Sequence, residues 1–86
     1  MSRIQVYTKR NCPYCLRAKA LLARKGVAYE DIDAEEDEAL RLWLADATGQ
    51  KTVPQIFVDG RSLGGFSDIA SLDERGELDA ILRGRG

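Results

Sequence analysis

The chain has no histidine, and its 86 residues hold only two cysteines, two prolines and one tryptophan. Without histidine there is no Cys–His or Ser–His couple, and zinc loses its commonest nitrogen ligand. Two sulfurs cannot supply the four ligands of a structural zinc site, so no metal is expected. An excess of one charge is missing too: 13 basic residues against 14 acidic ones leave a formal charge of −1. That balance gives no reason to expect nucleic acid or an anionic membrane as a partner. No apolar run is long enough to cross a bilayer, and MSRIQVYTKR lacks the apolar segment of an export signal. The expected location is therefore cytoplasmic, where thiols are mostly kept reduced. A chain of this length holds one core, so residues 1–86 are expected to form a single domain, and nothing suggests more than a monomer.

What is present begins with the cysteines, which stand together in KRNCPYCLRAKALL as Cys12 and Cys15. A permanent disulfide between them would close too small a loop to constrain the unfolded chain much. A redox pair has a physical mechanism, and it depends on the surrounding elements. Residues 3–8 alternate Ile4 and Val6 with polar neighbours and predict a strand. Pro13 suits the first turn of a helix that buries Cys15, Ala18, Leu21 and Leu22 and stops at Gly26. Val27, Tyr29 and Ile32 allow a second strand over 27–33. Leu40, Trp43, Leu44 and Ala47 then recur with helical spacing over 36–47, which predicts an amphipathic helix.

QIFV at 55–58, followed by Asp59-Gly60 and RSL, is the clearest hairpin signal. Ser67 can cap a third helix holding Ile69 and Leu72, and Gly76 interrupts it before Leu78, Ile81 and Leu82. The order β-α-β-α-β-β-α describes an α/β fold, a mixed four-stranded sheet flanked by helices. Trp43, Leu44 and Phe57 are read as core, and Gln55 as an ordinary strand residue.

In that frame Cys12 falls where the first strand hands over to the first helix. A sulfur there faces unpaired backbone N–H groups and the positive end of the helix dipole, which favour thiolate. Lowering an ordinary thiol from about 8.5 to about 5 takes roughly 5 kcal/mol, and the dipole supplies at most about 2. Hydrogen bonds from the N–H groups of Tyr14 and Cys15, with Lys9 and Arg10 nearby, are expected to supply the rest. Cys12 is then the nucleophile, and Cys15, one turn in, the resolving or spectator thiol.

CPYC behind a T-K-x-x lead, the Thr52-Val53-Pro54 triplet, and GGFSD at Gly64–Asp68 together resemble the dithiol glutaredoxins, over essentially the whole chain. The resemblance implies a thioredoxin fold and an enzyme that reduces protein–glutathione mixed disulfides and some protein disulfides. Glutathione would be the reducing co-substrate, with no tightly bound cofactor. Partners would be glutathionylated or disulfide-containing proteins, with ribonucleotide reductase among the candidates. Pro54 is expected to be cis, opposite the cysteines.

Glutathione carries two carboxylates, one ammonium, a peptide backbone and a sulfur. The resemblance points to Lys9 and Arg41 for the glycine carboxylate, and to the Val53 N–H and C=O for the peptide backbone. Thr52 adds a contact. Gly65, Phe66, Ser67 and Asp68 would meet the γ-glutamyl end, with helix N–H groups on its carboxylate and Asp68 on its ammonium. Tyr14 would offer its ring beside Cys12. Phe66 departs from the smaller or tyrosine residues usual at its position, which bears on substrate preference. Two alternatives stand beside this reading. A redoxin served by thioredoxin reductase tends to lack the lysine and the GG-x-[ST]-D site present here. A dimer holding a [2Fe–2S] cluster through Cys12 and glutathione is disfavoured by the stiffening effect of Pro13.

Overall fold

The alternation at the N-terminus becomes β1 (Ile4–Thr8), in which Ile4 and Val6 face one side of a sheet and Tyr7 the other. The structure, a computed structural model, describes residues 2–84. After β1 come α1 (Pro13–Arg24), β2 (Glu30–Asp33), α2 (Glu38–Thr48), β3 (Gln55–Val58), β4 (Arg61–Gly64), α3 (Phe66–Glu74) and α4 (Leu78–Leu82). The sheet order is β2-β1-β3-β4, with β1 and β2 parallel and the other neighbours antiparallel. The parallel pair is joined through α1, as a crossover requires, and the antiparallel β3–β4 pair turns on Asp59 and Gly60, both at positive φ.

Each face of the sheet has its own apolar cluster. Ile4, Val6, Ile56 and Val58 meet Ala18, Leu21 and Leu22 of α1, Ile69 of α3, and Leu78 and Leu82 of α4. Burying one such side chain is worth about 1.5–3 kcal/mol, so this face anchors the first helix and the cysteines it begins with. The other face is smaller: Tyr7, Ala34, Leu44 and Phe57, with Leu40 and Ile32 at its edge. Among the described residues, no helix is long and apolar enough to cross a membrane.

Three expectations need correction. The second strand covers only Glu30–Asp33; Val27 and Tyr29 pack against the larger cluster from the loop before it. Trp43 is 48% exposed. It lies over Phe57 with ring centroids 5.7 Å apart, covering the edge of the small cluster and leaving Leu44 as the only buried residue of α2. Ser67 does not cap α3. Gly65 is the N-cap residue, and Asp68 closes the helix start by accepting the Gly65 N–H at 2.9 Å. A carboxylate three residues along reaches back to that donor, so no hydroxyl is needed.

Candidate functional site

The cysteine geometry follows from where α1 starts. Cys12 is its N-cap residue, in extended conformation, and Pro13 takes the first helical position. Proline costs no hydrogen bond there, because the first N–H groups of a helix have no partner within it. The chain enters the turn through Asn11 at φ +53°, a left-handed conformation that asparagine tolerates better than most residues.

Cys12 Sγ accepts the Cys15 N–H at 3.3 Å, and its thiol donates to the Val53 carbonyl at 3.8 Å. Of the two backbone donors expected, only Cys15 N–H reaches the sulfur among the described residues; Cys15 is the third residue of the helix, whose N–H an N-cap side chain can meet. Cys15 itself is 1% exposed. Burial first, and its hydrogen bond with Cys12 second, push the Cys15 thiol up to about 11. Both cysteines are free, one accessible and one enclosed.

Val53 connects the sulfur to a groove of about 510 Å³. One wall is Gln50, Thr52, Val53 and cis Pro54. The other is the start of α3, from Gly65 to Asp68, and Tyr14 also lines the groove. The Tyr14 and Phe66 rings stand 6.3 Å apart, and Arg17 lies 5.0 Å from the Tyr14 ring centroid, so the aromatic pair is braced from outside. The close approach of Asp68 to the chain depends on Gly64, at φ +94°. A Cβ on Gly64 would lie 2.2 Å from Asp68 Oδ2.

Eight residues named from the sequence therefore meet in one groove: Tyr14, Thr52, Val53, Pro54, Gly65, Phe66, Ser67 and Asp68. Lys9, Cys12 and Cys15 line a second hollow of about 380 Å³ on the other side of the sulfur. Lys9 takes part in no salt bridge among the described residues, whereas Arg10 is drawn to Asp33 at 3.7 Å and Glu36 at 3.2 Å. Arg41 lines neither hollow. Its Nη1 donates to the carbonyls of Ala34 (2.9 Å) and Glu35 (2.5 Å), closing the loop before α2.

Gln55 opens β3 as the strand residue expected, but its hydrogen bonds and the place of Gln50 in the groove were not foreseen. Gln55 is fully buried, and its Nε2 donates to Gln50 Oε1 at 3.0 Å and to the Thr52 carbonyl at 2.9 Å. The available signal was a polar amide opening an otherwise apolar strand, because an amide buried there must find partners. No group of three or more Cys, Asp or Glu side chains suited to a metal ion occurs among the described residues.

Behind Cys15, Asp31 accepts from Lys19 Nζ at 2.8 Å and from Thr8 Oγ1 at 2.7 Å. Burial alone would push the Asp31 carboxyl up, but these two bonds and the ammonium charge together hold it below its ordinary value. The bond to Asp31, set against a smaller effect of burial, holds Lys19 above its own. The Asp31 contribution to stability is thus present above the unfolded carboxylate pKa and lost as pH falls through the lower folded value. The Lys19 contribution is lost as pH rises through its raised value. Asp31→Asn should therefore be less stable than wild type near neutral pH. The gap in melting temperature should narrow below about pH 4 and above about pH 10.5; a gap constant across that range in scanning calorimetry would remove the pair from the stability account.

Comparison with known proteins agrees with this geometry. The family model described as Glutaredoxin matches residues 4–63. Glutaredoxin 3 of Escherichia coli K12 is 45% identical over 83 residues, covering 96% of this chain and all of that protein. A glutaredoxin of Pseudomonas aeruginosa is 44% identical over 82 residues, covering 95% of this chain and 98% of its own. Among solved structures, a buckwheat glutaredoxin–glutathione complex superposes with a TM-score of 0.91 at 31% identity, over 99% of this chain and 80% of that one.

Proposed function

The chain belongs to the glutaredoxin family of thiol–disulfide oxidoreductases, and we propose that it reduces protein–glutathione mixed disulfides with electrons drawn from glutathione. It has the thioredoxin-like fold of that family. One observation carries the proposal: an accessible helix-capping sulfur touches Val53, which lines a groove whose opposite wall is the start of α3 with Asp68. The buckwheat relative was solved as a glutathione complex, and the chemistry of that tripeptide matches what this groove offers.

The γ-glutamyl carboxylate meets the N-terminal N–H groups of α3. Asp68 Oδ2 is committed to the Gly65 N–H, which leaves Oδ1 to accept from the γ-glutamyl ammonium. The peptide backbone pairs with Val53 as a short added strand. Ionisation of Cys12 removes the thiol that occupies the Val53 carbonyl and frees that oxygen for the ligand N–H. Lys9, across the sulfur from the groove, faces the glycine carboxylate. Arg41 could reach that carboxylate only through Nε or Nη2, since Nη1 is committed to the loop.

The Cys12 thiolate attacks the glutathione sulfur of the mixed disulfide. A Cys12–glutathione bond forms, the bond to the protein sulfur breaks, and the departing protein thiolate takes a proton from water. A second glutathione thiolate then attacks the glutathione sulfur on Cys12, releasing glutathione disulfide and restoring the Cys12 thiolate. Cys15 can instead attack Cys12, but it is enclosed and burial disfavours its thiolate, which favours the route through the second glutathione. Both routes need a pool of reduced glutathione, which supports a cytoplasmic location.

Asp68→Asn separates binding from chemistry. The asparagine oxygen still accepts from the Gly65 N–H, while the charge opposite the ammonium is gone. Losing one charged hydrogen bond, worth about 1.5–3 kcal/mol, should raise KM for a small glutathione mixed disulfide by at least about tenfold with kcat little changed. An unaltered KM in the coupled NADPH and glutathione reductase assay would move the γ-glutamyl site elsewhere.

A further inference from the structure

A fully buried amide in a strand is costly unless its hydrogen bonds serve something. Gln55 is such a group: no part of it is exposed, and its Oε1 has no partner among the described residues. Its Nε2 spends both hydrogens on the loop that forms one wall of the groove, at Gln50 Oε1 (3.0 Å) and the Thr52 carbonyl (2.9 Å). The first of these bonds has a consequence for Gln50. An amide has one acceptor end and one donor end. With Gln50 Oε1 held inward by a donor that has nowhere else to go, the NH₂ group of Gln50 is the end left for the groove it lines.

We infer that Gln50 is a binding residue of the groove, donating its Nε2–H to a carbonyl or carboxylate oxygen of the tripeptide, and that Gln55 is the positioning residue that sets this orientation. The inference rests on the glutathione reading and adds to it a donor on the wall opposite α3. It accounts for the polar start of an otherwise apolar strand. It also accounts for the aim of an exposed side chain that would otherwise rotate freely.

The two ends of the amide can be separated by substitution. Gln50→Glu keeps an oxygen for Gln55 Nε2 to meet but turns an acceptor toward the groove in place of the donor. Gln50→Ala removes both ends. Gln55→Met removes the positioning bond and leaves Gln50 free to turn. The measurements are KM and kcat for glutathione and for a small glutathione mixed disulfide, with melting temperature alongside. Gln50→Ala should raise KM about fivefold, the loss of one neutral hydrogen bond (about 1 kcal/mol). Gln50→Glu should raise it about tenfold or more, with a melting temperature near wild type. Gln55→Met should raise KM about as much as Gln50→Ala, and the double variant no further, since the two residues act as one.

In all of them kcat and the alkylation rate of Cys12 without glutathione should stay near wild type, which a collapse of the loop would not allow. A wild-type KM in Gln50→Glu overturns the inference, and this variant decides the matter even if Gln55→Met fails to fold. If wild type itself shows no saturable dependence on glutathione, the glutathione reading has failed instead.

Discussion

Cys12→Ser is expected to abolish turnover of small glutathione mixed disulfides, by at least about 10³-fold, while Cys15→Ser keeps most of the wild-type rate. The argument comes from the unequal surroundings of two thiols in one short motif. Cys12 caps α1, lines the smaller hollow and touches Val53 of the groove. Its sulfur already accepts the Cys15 N–H, a bond that strengthens when the acceptor carries charge. A serine hydroxyl there can accept the same bond but is neither ionised nor a leaving group for the second exchange. Cys15 is enclosed, and its proton is held up to about 11, so at neutral pH it contributes little nucleophile.

The same contrast should appear without any substrate. Iodoacetamide at pH 7 should modify one thiol per chain, at Cys12, and the second should react only on strong alkalinisation or unfolding. A Cys15→Ser variant that is inactive toward small mixed disulfides would mean that the dithiol route is obligatory, and the reading of Cys15 as a bystander in this reaction would fall.

The legibility of this arrangement in the sequence varied with how local each cause was. The face of α1, its proline start and its glycine stop depend on residues within a few positions of one another, and all stand where periodicity and turn chemistry put them. The hairpin at Asp59-Gly60 is equally local. Trp43 was misread because helical spacing reports which side of a helix is apolar, not how much sheet lies beneath it. The cluster under α2 is small, and it ends at Leu44 and Phe57. The bonds of Arg41 Nη1 to carbonyls six and seven residues back were not visible in the sequence, since they exist only once the β2–α2 loop is folded. Gln55 shows the same limit. Its type was visible, but its partners at Gln50 and Thr52 belong to a loop without a periodic pattern.

Gly64→Ala should be the most damaging change outside the cysteines, and it should harm stability and binding together. Gly64 sits at φ +94°, where any L side chain is strained by about 1–3 kcal/mol. The added Cβ would also lie 2.2 Å from Asp68 Oδ2 and 2.7 Å from its Cγ. Asp68 cannot turn aside without leaving the Gly65 N–H it holds at 2.9 Å, which removes about another 1 kcal/mol and opens the first turn of α3. Together these costs should lower the melting temperature of a chain this size by roughly 10–25 °C. They should also raise KM for glutathione mixed disulfides in whatever fraction remains folded. Gly26→Ala provides the control: its φ is +71°, yet a Cβ there meets nothing within 4 Å, so it bears the backbone strain alone. Removing the Asp68 side chain in the Gly64→Ala background should recover part of the stability and none of the binding, the non-additivity expected of two groups in contact. Equal losses in Gly64→Ala and Gly26→Ala would mean that α3 shifts to make room, and that the position of Asp68 is not set by the absence of a side chain at residue 64.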